Sequence, residues 1–232
     1  AGMARRLAER GLRLGLCSRS RPECPAAENC LAAEVDVTDA QAVEEFARRV
    51  GEQFGRIDLW VNNAGQLGPI ARLADLDPAE FASHLEVNVM GVVHGAAAFA
   101  RQVRRQGGGG VLINISSGAG KRAYAGWSAY CAGKAAVDRI TESVALEEAE
   151  HGLVALAVSP GMVDTDMQAT LRGASREVFP ALDKFLNAKS EEHFNTPEFV
   201  ADRILALAFD PTQRLRPDIR ARESWSSSCR DR

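Results

Sequence analysis

Residues 111–134 read VLINISSGAGKRAYAGWSAYCAGK and predict a buried strand followed by a helix. Its first five residues are almost wholly apolar, which is typical of a parallel strand that helices cover on both faces. The later part belongs to a long segment without proline and predicts a helix over 127–150. Ser116 and Ser117 stand where the strand ends, and the carboxyl ends of strands in such sheets face the ligand crevice.

The same alternation of strand and helix continues on both sides of this stretch. Strands are predicted at 12–17, 31–36, 57–62, 111–116 and 153–158, and helices near 3–10, 39–54, 78–105, 127–150 and 197–209. Asp39 and Asp77-Pro78 are signals for a helix start, and Gly55 is a signal for a helix end. The sequence therefore predicts an α/β fold, a single Rossmann-like domain over 1–232 with a doubly wound parallel sheet and helices on both faces.

The start of the chain departs from this pattern. A dinucleotide-binding sheet begins with a strand and a Gly-rich turn, yet Ala1-Gly2-Met3 already belongs to the predicted first helix. The first strand and the Gly-rich turn are therefore expected to be missing from the given chain. Either the sequence omits residues or the protein lacks this pyrophosphate cradle, and the missing initiator Met favours omission.

Two other segments are predicted to be irregular. The glycine run 107–110 precedes a strand and does not join a strand to a helix, so we expect a flexible turn and not a phosphate-binding loop. The tail 224–232 is rich in serine and charge, and we expect it to be disordered.

The composition argues against several classes of function. Lys and Arg number 28 against 31 Asp and Glu, and the net charge of -3 offers no broad basic surface for nucleic acid. No segment approaches the roughly 18 apolar residues that a membrane span needs, and the chain does not start like a signal peptide. We therefore expect a cytoplasmic protein with neither nucleic acid nor membrane as a partner.

The cysteine and histidine residues show no ligand pattern. The five cysteines are scattered and never spaced as C-x-x-C, so neither a zinc site nor a disulfide framework is expected. Cys17 lies in an apolar segment and is expected to belong to the core. The four histidines form no metal-binding motif, so no metal is expected.

Tyr130 and Lys134 are four residues apart and share one face of the predicted helix. A phenol has a pKa of about 10, so it needs a shift of roughly 3 units, or near 4 kcal/mol, to exchange protons near neutrality. An ammonium group about 4 Å away at an effective dielectric constant of 20 supplies roughly this energy. The pair is a candidate acid–base site, and a purely structural pair is the alternative.

Other polar side chains follow predicted strands. The hydroxyl of Ser117 could donate a hydrogen bond to a carbonyl oxygen that gains negative charge, or it could form part of a Ser-Ser-Gly turn. The run Asn62-Asn63-Ala64-Gly65 could line a ligand crevice or tie a turn. Asn88 stands in an apolar helical segment, where its amide must find a partner.

In combination, these motifs resemble the short-chain dehydrogenase/reductase family over about residues 1–210, including Ser159-Pro160-Gly161. The resemblance implies that Ser117, and not Ser116, orients a substrate carbonyl and that Tyr130 donates a proton. It also implies that Lys134 lowers the pKa of Tyr130 and binds the nicotinamide ribose, while Asn88 holds a proton-relay water.

The resemblance also implies a set of cofactor contacts. Besides Tyr130 and Lys134 they are Asp36 and Val37 at the adenine, Asn63, Ala64 and Gly65 on the adenosine side, Pro160, Gly161 and Val163 after the last strand, and Thr165 at the carboxamide. Sites that select NAD place a carboxylate after the second strand of the family's sheet, whereas Ser18 and Arg19 stand there and suit a 2′-phosphate. NADP(H) is therefore favoured over NAD(H).

Residues 126–136 and 163–168 resemble a narrower group, sepiapterin reductase and the bacterial benzil reductases. This likeness implies reduction of a ketone or α-diketone, and it weakens after Asp210, so no pterin anchor is carried over. Residues 164–195 are expected to form a lid over an apolar substrate pocket. Its candidate walls are Leu67, Trp127, Met162 and Met167, together with Leu171 and Phe179, each of which could instead be plain core.

Two rival functions stay open at this point. One is an NAD-dependent alcohol dehydrogenase with the same residues, and the other is a relative that senses a cofactor without catalysis. The resemblance further implies a homodimer or homotetramer, paired through the helix that carries Tyr130 and Lys134, with a small carbonyl compound as substrate.

Overall fold

The computed structural model describes residues 2–163, 165–190 and 194–215. The strands are β1 (Leu14–Ser18), β2 (Cys30–Glu34), β3 (Leu59–Asn62), β4 (Gly110–Ile115) and β5 (Leu153–Val158). The helices are α1 (Gly2–Glu9), α2 (Ala40–Phe54), α3 (Pro78–Leu85), α4 (Gly91–Gln106), α5 (Ser128–Glu147), α6 (Asp166–Arg172), α7 (Leu182–Ser190) and α8 (Pro197–Phe209).

All pairing between these strands is parallel. β1 pairs with β2, and β4 lies between β3 and β5 in a second sheet. No ladder joins β1 to β3 within the residues that the structure describes, although both strands border the same open cleft. Because parallel strands need crossover connections, α3 and α4 return the chain from β3 to β4, and α5 returns it from β4 to β5. The connection from β1 to β2 is a loop with a short 3-10 helix at Ala27–Asn29.

Alternate residues of β4 explain why helices cover both faces of the sheet. Leu112 is fully buried in a cluster with Phe46 of α2 and Phe99 of α4. Its neighbour Ile113 is also fully buried, but in a cluster with Ile204 of α8. Successive side chains of a strand point to opposite faces, so an apolar strand such as β4 requires helices on both. The predicted α/β fold is confirmed.

The predicted boundary signals are also confirmed. The Asp39 carboxylate accepts hydrogen bonds from the backbone of Gln41 and Ala42 at the start of α2, and Gly55 ends that helix with a φ of 84°. Asp77 caps α3 in the same way, with Pro78 at the first helical position. The strand predicted at 153–158 has these same bounds in the structure.

Several predicted elements differ from the structure in their bounds or continuity. The helix predicted over 78–105 consists of α3, a π-helical turn at Glu86–Met90, and α4. The strand predicted over 31–36 ends at Glu34, which leaves Asp36 in the loop beyond it. The lid predicted over 164–195 contains α6 and α7, and the tail 224–232 lies outside the described residues.

The glycine run 107–110 is a turn between α4 and β4, as predicted. Its first three residues have φ angles of 66°, 73° and 73°, which side chains rarely adopt. A Cβ atom on Gly109 would lie 2.4 Å from the carbonyl oxygen of Gly152, so this turn also needs glycine for space. No part of it joins a strand to a helix N-terminus.

The expectation of no disulfide is wrong for one pair of cysteines. Cys24 and Cys30 form a disulfide with their Cα atoms 5.7 Å apart. The bond closes the connection between β1 and β2, and only the folded path of that loop brings the two cysteines together. Cys17 is free and packs against the main core, and burial raises its pKa to about 11.

The described residues, 2–163, 165–190 and 194–215, contain neither a membrane-spanning helix nor a metal-binding cluster. None of the helices in those ranges is long and apolar enough to cross a membrane. The same ranges contain no group of three or more His, Cys, Asp or Glu side chains that could hold a metal ion.

The disulfide gives a stability prediction. Replacing Cys24 and Cys30 by serine removes a closure of a short loop, which is worth about 2 kcal/mol in the unfolded chain. For a chain of this size we expect Tm to fall by about 4–8 °C. Thermal unfolding followed by circular dichroism measures this shift. A reductant should lower the Tm of the unmodified protein to the same value and leave the double variant unchanged; equal Tm values for oxidised protein and variant would contradict the prediction.

Candidate active site

The carboxyl ends of all five strands open on one cleft. The residues predicted from sequence to form the site all border it: Ser18, Arg19, Asp36, Val37, Asn63, Ala64, Gly65, Leu67, Asn88, Ser117, Trp127, Tyr130, Lys134, Pro160, Gly161, Met162, Val163, Thr165 and Met167. Residues that are far apart in the sequence meet at this cleft because parallel strands end at the same edge of the sheet.

Tyr130 lies in the first turn of α5 and is largely buried, with 9% of its surface exposed. Burial raises the pKa of its phenol, and a hydrogen bond with the Ser117 hydroxyl offsets part of this effect. Ser117 Oγ also accepts a hydrogen bond from the backbone of Ala119 at 3.2 Å, which fixes the hydroxyl at the end of β4. The two hydroxyl groups therefore form one hydrogen-bonded unit at the sheet edge.

Lys134 lies one helical turn after Tyr130 and is buried. Its Nζ donates to the backbone carbonyl of Ile115 at 2.7 Å and lies 5.7 Å from the centroid of the Tyr130 ring. Burial lowers the pKa of the ammonium to about 8, and the Asp138 carboxylate opposes this shift. The ammonium form still predominates at pH 7.

The role implied for Lys134, to lower the pKa of Tyr130, stays a prediction. The Lys134 ammonium is bound to the Ile115 carbonyl. In the protein by itself the pKa of Tyr130 is raised, with desolvation of the phenol as the largest cause. The phenol is therefore protonated at neutral pH.

The two adjacent serines have different environments. Ser116 Oγ is buried and has no hydrogen-bond partner among the described residues. Ser117 Oγ, in contrast, is hydrogen-bonded to Tyr130. Both serines border the cleft, so the hydrogen bond to Tyr130 is what distinguishes Ser117 from Ser116.

Asn88 lies in the π-helical turn and is 1% exposed. Its Oδ1 accepts from the backbone N–H of Gln66 at 2.9 Å, and its Nδ2 donates to the Gln66 carbonyl at 2.8 Å. The partner that the sequence required for this amide is therefore the loop after β3. A Cβ atom on Gly65 would lie 2.6 Å from Asn88 Oδ1, so this contact explains the glycine.

Sequence reasoning missed a buried polar chain across the sheet. Asn62 accepts from Trp60 Nε1 and donates to Asn114 Oδ1, and Asn114 donates to Thr141 Oγ1 of α5, each at 2.8 Å. Asn62 thus belongs to a strand and not to a turn. Two asparagines inside otherwise apolar strands were the available signal, because buried amides need partners.

His84 was also missed. It is fully buried at the end of α3 and contacts both Asn88 and the Gly68 carbonyl. Its position four residues before Asn88 places the two side chains on one helical face, which was the signal in the sequence.

An apolar cluster surrounds Tyr130 on the lid side. Trp127 stacks on the Tyr130 ring with centroids 4.7 Å apart and meets Phe179 at 5.0 Å. The predicted pocket residues Leu67, Trp127, Met162 and Met167 belong to this cluster and border the cleft. Leu171 and Phe179 are fully buried beneath the surface, so they are core and not pocket wall.

The opposite end of the cleft carries the predicted adenosine contacts. Ser18 and Arg19 lie at the end of β1, and Asp36 lies after β2 within electrostatic range of the exposed Arg19. Asp36 Oδ1 accepts hydrogen bonds from the backbone and the hydroxyl of Thr38, and these bonds lower the pKa of the carboxyl group. Val37 packs against Gly91, and a Cβ atom on Gly91 would lie only 2.8 Å from a methyl group of Val37.

The segment after β5 is held by Asn195. Its Nδ2 donates to the carbonyl of Pro160 at 2.8 Å, and its backbone N–H donates to the carbonyl of Met162 at 2.8 Å. Thr165 follows at the start of α6 and is exposed. The contacts of Asn195 thus keep this segment beside Tyr130 and Ser117 on the cleft.

Comparisons with known proteins identify the family of this chain. A family model described as short chain dehydrogenase matches residues 1–176. The chain is 33% identical over 186 residues to a benzil reductase ((S)-benzoin forming) of Bacillus cereus, with 77% of this chain and 74% of that protein covered. It is 32% identical over 158 residues to the Bacillus subtilis (strain 168) protein of the same description, with 67% and 65% covered.

Solved structures show the same likeness. The crystal structure of the KRED1-Pglu enzyme has a TM-score of 0.77 at 29% identity and covers 89% of this chain and 88% of that one. The crystal structure of levodione reductase has a TM-score of 0.79 at 25% identity, with 94% and 88% covered.

The contact between Gly65 and Asn88 can be tested by a matched pair of variants. Gly65→Ala places a methyl group against an amide that is held by the Gln66 backbone, and such overpacking costs about 1–3 kcal/mol. Gly68→Ala, three residues later, meets nothing within 4 Å. We therefore expect the free energy of unfolding in urea to fall for Gly65→Ala and to stay within about 0.5 kcal/mol for Gly68→Ala. Equal losses for both would show that the Asn88 contact is not the cause.

Proposed function

Because the chain belongs to the short-chain dehydrogenase/reductase family, we propose that it is an NADPH-dependent carbonyl reductase with Tyr130 as its proton donor. Family membership makes it an NAD(P)-dependent oxidoreductase that acts on small molecules. The benzil reductases among its relatives favour a ketone or α-diketone as substrate, and benzil is the first compound to test.

One observation carries the proposal. The Ser117 hydroxyl, the Tyr130 phenol and the Lys134 ammonium meet at the carboxyl edge of the sheet, on a cleft bordered by apolar side chains. A carbonyl oxygen placed beside the two hydroxyls meets two donors at the point where negative charge develops on it. The Trp127 ring, stacked on Tyr130, limits access of water to the phenol.

The chemistry of the residues on the cleft fits a dinucleotide cofactor. The guanidinium of Arg19 suits a 2′-phosphate, and Gly65, which follows β3, borders the same cleft. Proposed contacts to the remainder of the cofactor are Ser18, Asp36, Val37, Asn63, Ala64, Tyr130, Lys134, Pro160, Gly161, Val163 and Thr165. When bound, the reduced nicotinamide supplies the hydride.

The protein's own residues handle the proton. The raised pKa of Tyr130 keeps the phenol protonated at neutral pH, which is the form that a proton donor needs. As the proton moves to the carbonyl oxygen, Ser117 and the nearby ammonium of Lys134 stabilise the phenolate that forms. Lys134 thus stabilises the phenolate that proton transfer produces and not the neutral phenol.

The apolar cluster supports an aromatic substrate. Leu67, Met162 and Met167 pack with Trp127 on the lid side of Tyr130. Thioether and aromatic side chains contact aromatic rings favourably, so a phenyl ketone or diketone suits this wall better than a polar sugar. Residues 164–195, with α6 and α7, are proposed to act as the lid over this wall.

The role of Tyr130 gives a sharp prediction. Tyr130→Phe keeps the ring and removes the acid, so NADPH-dependent reduction of benzil should fall by about 10²- to 10⁴-fold in kcat. NADPH affinity, measured by fluorescence titration, should stay within about threefold because the ring still packs against Trp127.

The other tyrosine of the chain supplies the control. Tyr124→Phe removes a phenol from the same aromatic cluster and should keep turnover within about tenfold. Near-normal kcat in Tyr130→Phe would refute the assignment.

Cofactor selectivity is tested at Arg19. Arg19→Gln removes a guanidinium that we assign to the 2′-phosphate, so the ratio of kcat/KM for NADPH over NADH should fall about tenfold or more. Arg21→Gln is the matched control, since it removes another exposed guanidinium from the same loop and should leave the ratio unchanged. A parallel fall in both variants would indicate a general loss of positive charge, and an unchanged ratio in Arg19→Gln would contradict the assignment.

A further inference from the structure

His84 lies directly behind the residues of the proposed reaction. The side chain is fully buried at the end of α3. Its ring meets the Tyr130 ring edge-on, with centroids 6.0 Å apart and planes at 71°. A histidine in such a place needs partners for both ring nitrogens, because a buried unpaired polar atom is costly.

Both nitrogens have partners, and these partners fix the tautomer. Nδ1 contacts the Gly68 carbonyl oxygen, which can only accept, so Nδ1 carries the hydrogen. Nε2 is then an acceptor, and Asn88 Nδ2 lies 2.8 Å from it. Asn88 Nδ2 has two hydrogens, and the second is donated to the Gln66 carbonyl. The neutral ring therefore completes the hydrogen bonding of Asn88.

The environment favours this neutral form. Burial lowers the pKa of His84, and the positive charge of Lys134 acts in the same direction. A protonated ring would present a second N–H to Asn88 Nδ2, where two donors would face each other. The neutral ring is therefore the form compatible with the observed contacts.

His84 also meets the helix that carries Tyr130 and Lys134. A Cβ atom on Gly133 would lie 3.3 Å from His84 Nε2, closer than an ordinary contact. The absent side chain at Gly133 thus lets the imidazole lie against the turn of α5 between Tyr130 and Lys134. The same ring contacts that turn, the amide of Asn88 and the carbonyl of Gly68.

The Gly68 contact connects His84 to the substrate side of the cleft. Gly68 follows Leu67, a residue of the apolar wall, and precedes Pro69. Gln66, on the other side of Leu67, is held through Asn88. Both neighbours of Leu67 are therefore fixed, one directly by His84 and one by the amide that His84 binds.

We propose that His84 is a positioning residue, which sets the distance between the Leu67 wall and the Tyr130 phenol through hydrogen bonds to Gly68 and Asn88. The inference rests on the proposed role of Tyr130 as proton donor. His84 itself touches neither substrate nor cofactor in this scheme. Its effect is carried by the loop at 66–68 on one side and by α5 on the other.

Two substitutions separate hydrogen bonding from packing. His84→Phe keeps a ring of similar size and loses both hydrogen bonds, whereas His84→Gln keeps an amide that can donate and accept. We expect His84→Phe to lower kcat/KM for benzil by about tenfold or more and to reduce the enantiomeric excess of the benzoin product. NADPH affinity should change less than about threefold, because Asn88 still binds the Gln66 backbone directly. His84→Gln should keep most of the kcat/KM and most of the enantiomeric excess that His84→Phe loses.

Two controls exclude a general effect of the substitutions. His151→Phe removes a histidine from the 3-10 turn that follows α5, where its side chain is 36% exposed, and should leave kcat/KM unchanged. Ile204→Val loosens the core under α8 and should lower Tm without changing the enantiomeric excess. Wild-type kcat/KM and enantiomeric excess in His84→Phe, or equal losses in His84→Phe and His84→Gln, would overturn the proposal.

A second readout does not depend on turnover. In a Tyr124→Phe background Tyr130 is the single tyrosine, so absorbance at 295 nm follows its ionisation alone. If His84 holds Tyr130 in its buried position, His84→Phe should move the midpoint down toward the ordinary value of about 10, and His84→Gln should not. An unchanged midpoint in His84→Phe would overturn the proposal. If the unmodified protein reduces no carbonyl compound, the proposed function fails, and this titration still decides the role of His84.

Discussion

The hydrogen bond from Lys134 Nζ to the Ile115 carbonyl fixes the site to the sheet. A buried ammonium is costly unless its hydrogens find acceptors, and the last carbonyl of β4 is such an acceptor at 2.7 Å. This bond ties the first two turns of α5 to the end of β4. Tyr130, one turn earlier, is thereby placed beside Ser117, which directly follows that strand. The candidate acid and its hydrogen-bond partner meet because a cation is anchored between helix and sheet.

Buried polar side chains in the otherwise apolar core also fix the position of α5. Asn62, Asn114 and Thr141 link β3, β4 and α5 by side-chain hydrogen bonds. On the other side of α5, Asn88 and His84 connect the loop after β3 to the same helix. Buried polar networks of this kind permit few alternative packings, since each shift leaves a donor or acceptor unpaired. The helix is therefore positioned from two sides.

Much of the fold and of the candidate site can be predicted from the sequence, and the features that cannot be predicted have physical causes. Apolar periodicity gave the bounds of β5, and the caps at Asp39 and Gly55 were found because local chemistry determines them. The residues of the cleft were predictable since strand ends converge in any parallel sheet. The Cys24–Cys30 disulfide was not, because it depends on the path of a loop between two strands. The contacts of His84 were only partly predictable: its spacing to Asn88 is a local pattern, but its contacts with the Gly68 backbone and with α5 depend on the tertiary fold.

The pKa shifts of Tyr130 and Lys134 depend on burial, which a Coulomb estimate from the sequence spacing omits. A Coulomb estimate from the spacing of Tyr130 and Lys134 favours an ionised phenol, but burial acts on both groups and favours the neutral form of each. The ammonium keeps its charge at neutral pH because the Asp138 carboxylate opposes the effect of burial and the pKa stays at about 8, whereas the phenol keeps its proton. Burial thus leaves a protonated acid next to a fixed positive charge. Such a pair resists ionisation until negative charge appears on a neighbouring oxygen, and then the ammonium stabilises the phenolate that proton transfer leaves behind. Desolvation thus keeps the proton on Tyr130 in the protein by itself, and the transfer to a carbonyl oxygen depends on the Ser117 hydroxyl and the Lys134 ammonium, which stabilise the phenolate.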